Sequence, residues 1–267
     1  MKFRWICFLS IVLFSCVQSK KAMQNDSTTE KRFADNIVIA HRGAWKHTHT
    51  PENSLASLKA AIAGGYYGSE TDVHMTADGH IVVNHDPTYH KKDIQTTTLE
   101  ELRTIPLANG EALPLLGQFL KEITAQHRTR LILEIKSSTR GKEWAMKTVR
   151  KVVEEVKKYH AQPYIVYISF DYAMCLEVLR LQPDAEVQYL NGDKSPQEVS
   201  AAGLSGIDYN LSVFKRNPQY FADARNLGVR TNAWTVNDST QVDWLMENKV
   251  DFITTNEPEM VLRRTSS

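Results

Sequence analysis

The chain places acidic and histidine side chains at equal distances on either side of an Asp78-Gly79 turn signal. An Asp-Gly pair flanked by alternating apolar residues is a strong short-range signal for a β-hairpin. A two-residue loop at this point puts Asp72 directly across from His85. Glu70 projects on the same side of the strand as Asp72, because side chains at i and i+2 share a face. The sequence therefore predicts two carboxylates beside an imidazole, a combination suited to metal binding or proton transfer.

A third carboxylate, Glu134, closes a later apolar run. If Glu70, Asp72 and Glu134 meet at one point, their like charges cannot all stay ionised without a counter-charge. A divalent cation can supply that charge, and all-oxygen ligands favour calcium, magnesium or manganese over zinc. A salt-bridge network with Arg42 and Lys136, without a metal, is the alternative that the spacing leaves open.

Two histidines, His41 and His85, are expected beside these carboxylates. Histidine changes its charge near neutral pH, so one imidazole can accept a proton while the other donates one. Arg42 and Lys136 add fixed positive charge, and both side-chain types bind phosphate oxygens well. Carboxylates, cations and paired imidazoles together predict phosphoryl transfer.

Short apolar runs alternate with helix-like stretches along most of the chain. The candidate strands are residues 37–40, 69–73, 131–135, 165–169, 186–190, 206–210, 229–234 and 251–254. Between several of them, apolar residues recur every three to four positions, as in amphipathic helices; these stretches are 54–63, 142–159, 172–181, 218–226 and 238–248. This alternation predicts an α/β fold, a parallel (β/α)8 TIM barrel over residues 37–262, with an added β-hairpin after the second strand. A doubly wound sheet is the alternative architecture.

The barrel prediction gains support from where the unusual polar residues fall. Active sites in this fold form at the carboxyl ends of the strands. The residues near those ends are His41, Arg42, Glu70, Asp72, Glu134, Lys136, Asp208, Asn210 and Trp234. Trp234 either walls a pocket or fills the barrel top. Segment 86–117 lacks a clear strand, holds a candidate short helix at 99–103, and either roofs the site or forms a surface excursion.

Residues 1–16 are typical of a secretory signal peptide, because Lys2 and Arg4 precede an uncharged stretch too short for a comfortable membrane span. Leu13-Phe-Ser-Cys16 resembles the bacterial lipoprotein cleavage box, in which the cysteine is lipidated. Simple cleavage and a retained anchor are the alternatives. The polar composition of residues 17–36 predicts a tether, and residues 263–267 are expected to form a tail. We therefore expect an exported bacterial lipoprotein, anchored to a membrane on the periplasmic or cell-surface side.

The composition of the 267-residue chain is that of an ordinary globular protein, which favours one large domain after the tether. Basic and acidic residues number 32 and 31, so the overall charge gives no reason to expect a nucleic-acid partner. The expected partner is a small-molecule phosphodiester, the membrane is contacted only through the anchor, and a monomer is the default. Cys175 lies in an apolar helical pattern and is expected to fill the core.

Several motifs resemble the glycerophosphodiester phosphodiesterase family, in order along nearly the whole mature chain. They are Ile39-Ala-His41-Arg-Gly-Ala, Pro51-Glu-Asn53, Glu70-x-Asp72-Val-x-Met-Thr-x-Asp-Gly79, Val82-Val-x-His85-Asp86, Leu133-Glu-Ile-Lys136 and Trp234-Thr-Val-Asn237. The resemblance implies a (β/α)8 barrel that hydrolyses glycerophosphodiesters to glycerol 3-phosphate and an alcohol, often with calcium or magnesium. A cyclic phosphate intermediate is the mechanism that it suggests.

The resemblance also implies roles for individual residues. By position, the metal ligands are Glu70, Asp72 and Glu134, the acid-base pair is His41 and His85, and the phosphate contacts are Arg42 and Lys136. Beside the resemblance, we expect Trp234 to contact the substrate and Glu52 and Asn53 to support the site. His74, two residues beyond Asp72, either supports the site through a hydrogen bond or contacts the substrate. The connection from Asp86 to Leu131 is short beside members that carry an inserted cap there, which leaves specificity for the glycerol side open.

Three competing functions remain open from the sequence. The first is a phosphodiesterase for a different diester, such as a glycerophosphoinositol or a lysophospholipid. The second is a lipid-anchored protein that binds phosphodiesters without turnover, since barrels host many functions. The third is a lyase that uses Lys136 as a Schiff-base nucleophile, which requires an unprotonated lysine.

Overall fold

A computed structural model of the chain describes Met1 and residues 33–265; the rest of the predicted signal peptide, with Cys16 as its predicted lipidation site, and most of the predicted tether lie outside these residues. The strands of the described residues are β1 (Val38–Ala40), β2 (Gly68–Met75), β3 (Ile81–Val83), β4 (Thr88–Tyr89), β5 (Lys92–Asp93), β6 (Arg130–Ile135), β7 (Ile165–Ser169), β8 (Glu186–Tyr189), β9 (Gly206–Asn210), β10 (Arg230–Trp234) and β11 (Phe252–Thr255). Their helices are α1 (Leu55–Gly64), α2 (Leu99–Leu102), α3 (Leu116–Thr124), α4 (Lys142–Lys158), α5 (Tyr172–Leu181), α6 (Pro196–Ala201), α7 (Leu211–Arg216), α8 (Tyr220–Leu227), α9 (Ser239–Glu247) and α10 (Pro258–Thr265).

Eight parallel strands close into a barrel in the order β1, β2, β6, β7, β8, β9, β10 and β11, and β1 pairs with both β2 and β11. Helices connect successive strands, and β3 pairs antiparallel with β2 at one side. The predicted (β/α)8 barrel with an added hairpin is confirmed. Because the sheet closes on itself, the doubly wound alternative is wrong.

Side-chain alternation along the strands divides the core into two parts. In β6, Leu131, Leu133 and Ile135 join the large cluster between the barrel and its helices, whereas Ile132 joins the cluster inside the barrel. Successive strand residues point to opposite faces, so Glu134 shares the inner face with Ile132. The strand pattern itself therefore directs Glu134 into the barrel.

The first helix shows how local sequence fixes the elements around the site. Ser54 caps α1 by accepting a hydrogen bond from the Ser57 backbone, and Gly65 ends the helix in the left-handed conformation at φ 68°. A side chain with a Cβ is strained at such a φ, which is why glycine is favoured there. This helix start fixes the loop that leads from β1, in which Asn53 and Arg42 lie.

The register of the β2–β3 hairpin differs from the prediction. Val73 pairs with Val83, and the Asn84 backbone N–H donates to the Asp72 carbonyl at 3.0 Å, so Asp72 lies opposite Asn84 and not opposite His85. The loop has three residues, because the Thr76 hydroxyl binds both the Asp78 carboxylate and the His80 backbone N–H and extends the turn by one residue. The prediction of a two-residue loop, with Asp72 opposite His85, was therefore wrong.

The predicted tether ends earlier than residue 36. Phe33 packs edge-to-face on Tyr164, with ring centroids 5.7 Å apart, and the Asn36 side chain accepts hydrogen bonds from the Val38 and Tyr67 backbones. Tertiary contacts thus order residues that look like a linker by composition. At the other end, α10 runs to Thr265, so the predicted tail from residue 263 was wrong for its first three residues.

Segment 86–117 folds against β3 around a small core of its own. The buried members of this core are Val82, Tyr89, Ile94, Leu102 and Leu113. The predicted helix at 99–103 is confirmed as α2, and β4 and β5 form a short hairpin that the sequence did not predict. Within the described part of the chain, no helix combines the length and the apolarity needed to cross a bilayer.

Candidate active site

Three buried carboxylates from two neighbouring strands meet at the carboxyl end of the barrel. Asp72 of β2 lies beside Glu134 of β6 in the parallel register, and Glu70 precedes Asp72 by two residues on the same face. One oxygen from each of the three side chains lies within 4.8 Å of the others. The structure therefore brings together the three acidic residues that the sequence singled out.

Burial and mutual repulsion make it costly to ionise two of these carboxylates. Burial, followed by the charges of Asp72 and Glu134, raises the pKa of Glu70 well above its ordinary value. Burial, followed by the charge of Asp72, raises the pKa of Glu134 to about 8. A group that neutralises this charge would therefore be bound favourably here.

Asp72 is the member of the cluster that stays ionised. Burial alone would raise its pKa, but Lys136, His85, Asn53 and Arg42 together lower it below its ordinary value. Asn53 donates from Nδ2 to Asp72 Oδ2 at 2.8 Å, and Lys136 Nζ lies 3.1 Å from Asp72 Oδ1. These contacts fix the direction in which the Asp72 carboxylate points.

Lys136 lies between two carboxylates, with Nζ 2.9 Å from Glu134 Oε1 as well as close to Asp72. Burial would lower its pKa, but the charges of Asp72 and Glu134 outweigh burial and raise the pKa above the ordinary value. A lysine that holds its proton this firmly is a poor Schiff-base nucleophile, so the geometry gives no support to the lyase alternative.

Arg42 follows β1 and lies on the other side of the cluster. Its backbone N–H donates to Glu70 Oε2 at 2.9 Å, and its Nη1 donates to Glu52 Oε1 at 2.8 Å. Arg42 Nε lies 3.9 Å from Asp72 Oδ2. Glu52 therefore holds the guanidinium in place beside the acidic cluster.

The donor set fits a hard divalent cation. The ligand atoms are all carboxylate oxygens, which magnesium, calcium and manganese prefer. Glu70 Oε1 is buried and has no hydrogen-bond partner among the described residues. A buried polar atom without a partner is costly, and a bound cation would satisfy it.

His41 is positioned by the segment that follows the last strand. Its Nδ1 lies 2.8 Å from Asn256 Oδ1, and because an amide oxygen only accepts, Nδ1 carries the hydrogen. Nε2 then holds a free electron pair, and it lies 4.0 Å from Glu70 Oε2. Burial lowers the pKa of His41, so the ring is neutral at pH 7 and can accept a proton.

His85 lies just beyond β3, where strand alternation no longer restricts its side chain. Its Nδ1 lies 2.8 Å from Asp86 Oδ1, which leaves Nε2 free to contact a substrate. The buried ring of His74 donates from Nε2 to the His85 carbonyl at 3.2 Å. His74 thus supports the backbone of His85.

A cavity of about 130 Å³ opens beside these groups. It is lined by His41, Arg42, Glu70, His85, Glu134, Lys136, Ile168, Phe170, Leu190, Asp208, Trp234, Thr235 and Thr254. One side is charged and the other is apolar. Trp234 belongs to the apolar side, where its ring packs edge-to-face on Phe170 and its Nε1 donates to the Asp208 carbonyl at 2.9 Å.

Comparison with known proteins identifies the barrel. The glycerophosphoryl diester phosphodiesterase family matches residues 41–260. This chain belongs to that family. It is 28% identical over 242 residues to a glycerophosphodiester phosphodiesterase of Caldanaerobacter subterraneus, with 85% of this chain and 96% of that protein covered. It is therefore a phosphoric diester hydrolase.

Solved structures of family members share the barrel. A glycerophosphodiester phosphodiesterase from Parabacteroides distasonis is 40% identical, with a TM-score of 0.84 over 88% of this chain and 98% of that one. A phosphodiesterase from Oleispira antarctica, solved with its product sn-glycerol-3-phosphate, is 25% identical, with a TM-score of 0.77 over 87% of this chain and 97% of that one.

In this family member, the residues predicted from the sequence divide into two groups. His41, Arg42, Glu70, His85, Glu134, Lys136 and Trp234 line the cavity, whereas Glu52, Asn53, Asp72 and His74 contact those residues from behind. The exposed His47 pairs with Glu257 and does not line the cavity, and neither does any residue of segment 86–117. The segment therefore does not roof it.

The sequence interpretation missed several residues of this site, among them Asp86, Phe170, Leu190 and Asn256. Phe170, Leu190 and Asn256 each follow the carboxyl end of a barrel strand, directly after β7, β8 and β11. The rule that located His41 and Lys136 would also have found them, if it had been applied to every strand. Asp86 follows His85 in the chain, but nothing in its spacing indicates the hydrogen bond between the two side chains.

Proposed function

We propose that the protein hydrolyses glycerophosphodiesters to glycerol 3-phosphate and an alcohol, in a reaction that depends on a divalent cation. The observation that carries this proposal is that, in a member of this family, three carboxylates converge beside a cavity that His41 and His85 line. The product in the Oleispira structure supports the choice of substrate class. The residues of the proposed reaction all belong to one chain, so it needs no second subunit.

The charged side of the cavity would bind the phosphate group. Arg42 and Lys136 present positive charge there, and arginine matches phosphate oxygens well. Glu70, Asp72 and Glu134 would hold calcium or magnesium, with manganese also compatible with the oxygen ligands. When bound, the cation supplies positive charge that stabilises the transition state at phosphorus.

His41 and His85 would move the protons. Nε2 of the neutral His41 takes the proton of the C2 hydroxyl of the glycerol arm, and that oxygen forms a new bond to phosphorus. The bond from phosphorus to the alcohol breaks, and His85 donates a proton to the departing oxygen. The product of this step is a cyclic phosphate, and His41 is now the protonated ring.

Water completes the reaction with the two roles exchanged. His85 takes a proton from a water molecule whose oxygen bonds to phosphorus, and His41 returns its proton to the C2 oxygen as the ring opens. Both histidines return to their starting states. The net change is one diester and one water converted to glycerol 3-phosphate and an alcohol.

A panel of matched diesters tests the proposed function. With magnesium or calcium present, we expect glycerophosphoethanolamine and glycerophosphocholine to release glycerol 3-phosphate and the free alcohol in equal amounts. A diester in which propane-1,3-diol replaces glycerol lacks the C2 hydroxyl and should remain intact. Phosphorus NMR during turnover should show the cyclic phosphate. Tight binding of these diesters without turnover, across cations and pH, would instead identify a binding protein.

We also propose that the enzyme works outside the cytoplasmic membrane as a lipoprotein anchored through Cys16. The support is the cleavage-box sequence before Cys16 and the polar stretch after it. In a bacterial host, the full-length chain should be recovered with membranes, and Cys16→Ala should be recovered as uncleaved precursor or released protein without attached lipid. Mass spectrometry of the mature amino terminus measures the difference. An unmodified Cys16 in the parent would contradict this proposal.

A further inference from the structure

Asp208 lies deep in the cavity, on the far side of the barrel from the acidic cluster. It belongs to β9, which is four strands away from β2 in either direction around the barrel. Ile207 and Tyr209 point outward into the helix-facing core, so Asp208 points inward, and it is only 1% exposed. It lines the same cavity as His41 and Arg42.

The carboxyl group of Asp208 lacks a full set of partners. Its Oδ1 is buried and forms no hydrogen bond with any described residue. Burial raises its pKa to about 7, and a hydrogen bond from Asn232 offsets only part of that rise. An unpartnered buried polar atom destabilises a fold, and one that faces a cavity can be satisfied by the molecule that binds there.

The surroundings of Asp208 are apolar. Ile168, Phe170, Leu190 and Trp234 line the cavity on this side, and the Trp234 indole is fixed by its hydrogen bond to the Asp208 carbonyl. This side of the cavity therefore offers one carboxyl group, that of Asp208, within apolar walls. Ligand sites commonly use such a pattern, in which the walls provide burial and one polar group provides specificity.

We propose that Asp208 binds the terminal hydroxyl of the glycerol arm and so determines the specificity of the enzyme for glycerol. This inference rests on the proposed function. A hydroxyl both donates and accepts a hydrogen bond, so it satisfies Oδ1 in either protonation state of the carboxyl group. A quaternary ammonium head group has no hydrogen-bond donor and would leave Oδ1 unpartnered. The glycerol arm is also the part that all substrates of this class share, which suits the deep end of the cavity.

Two substrates that differ in one hydroxyl test the proposal. Glycerophosphoethanolamine carries the terminal hydroxyl, whereas its propane-1,2-diol analogue lacks it and keeps the C2 hydroxyl that forms the ring. Asp208→Leu should lower kcat/KM for the glycerol diester by about 10- to 100-fold. The same change should alter kcat/KM for the analogue by less than about threefold. Asp208→Asn keeps hydrogen-bonding atoms and should retain more of the preference for glycerol.

Gln188→Leu is a matched control. Gln188 is also buried with an unpartnered oxygen, on the neighbouring strand β8, but it does not line the cavity. This change should leave the preference for the glycerol diester intact. Equal losses on both substrates in Asp208→Leu, or a preference that survives the change, would overturn the proposal.

Calorimetric binding of glycerol 3-phosphate and propane-1,2-diol 1-phosphate separates this inference from the proposed function. The parent should bind the glycerol product more tightly, and Asp208→Leu or Asp208→Asn should reduce that difference. If the parent turns over neither diester, the proposed function is wrong, and equal binding of the two products by the parent would then refute the role of Asp208. If Asp208→Leu does not fold, Asp208→Asn provides both measurements.

Discussion

Replacing His85 with alanine should lower kcat on glycerophosphoethanolamine by about 100- to 10,000-fold, and replacing His41 should cause a loss of similar size. Each ring has one nitrogen engaged, by Asp86 in one case and by Asn256 in the other, and so presents its Nε2 to the cavity. Alanine removes the proposed proton carrier and leaves the three carboxylates in place. Steady-state rates with purified variants at saturating substrate measure the effect.

The two histidines should respond differently to the leaving group. A glycerophosphodiester of p-nitrophenol releases an alcohol that needs no proton to depart. With this substrate, His85→Ala should recover most of its lost rate, because the proton that we propose His85 to supply is no longer needed. His41→Ala should stay impaired on both substrates, because the C2 hydroxyl must still be deprotonated. Equal recovery by both variants would mean that the assignment of acid and base is wrong.

His47→Ala is the matched control for these changes. Its ring is exposed, pairs with Glu257 2.9 Å away and does not line the cavity. This variant should keep the activity of the parent on both diesters. If His41→Ala and His85→Ala also stayed within about fivefold of the parent, general acid-base catalysis by this pair would be untenable.

The barrel could be predicted because apolar residues recur with different periods in its strands and in its helices along most of the chain. Strand ends in a barrel meet at one face, so the positions of Glu70, Glu134 and His41 followed from their places at the ends of three apolar runs. The hairpin register could not be predicted in the same way. It depends on one hydroxyl, that of Thr76, whose hydrogen bonds add a residue to the loop.

His85 shows why the site was predicted despite the wrong register. A shift of one residue in a strand turns every side chain to the opposite face. His85 lies two residues beyond the end of β3 at Val83, so strand alternation does not determine where its side chain points, and the side chain lines the cavity. The predicted end of the tether was wrong for a different reason. Phe33 and Asn36 are ordered by contacts with residues distant in the sequence, which composition does not reveal.

Addition of magnesium or calcium should raise the thermal midpoint of the parent protein, whereas Glu70→Gln and Glu134→Gln should respond little. A ligand at about a hundred times its dissociation constant adds about 2.7 kcal/mol to the free energy of unfolding. For a domain of this size, that corresponds to roughly 5 to 10 °C. Differential scanning calorimetry with and without the cation measures the shift, and chelator should abolish turnover until one divalent ion is restored.

Without a bound cation, the carboxylate of Glu134 should lower the stability of the folded protein, whereas with the cation it should contribute to stability. The folded-state pKa of this group is raised from its ordinary 4.5 to about 8. Between these values the folded chain binds a proton that the unfolded chain has lost, so stability falls as the pH rises from about 4.5 to about 8. Glu134→Gln removes this contribution, and in chelator at pH 8 it should unfold at the same temperature as the parent or above it.

The directions of these two changes in unfolding temperature, with the cation and with Glu134→Gln in chelator, distinguish a metal site from a purely ionic network. If Lys136 and Arg42 alone balanced the carboxylates, Glu134→Gln would lose its ion pair with Lys136 and unfold at a lower temperature in chelator, and no cation would stabilise the parent. Glu154→Gln changes an exposed carboxylate that pairs with Lys151 and should match the parent in both conditions. A cation shift that persisted in both Glu70→Gln and Glu134→Gln would place the bound ion elsewhere, because three carboxylates reduced to two would no longer supply the ligands and charge that hold it.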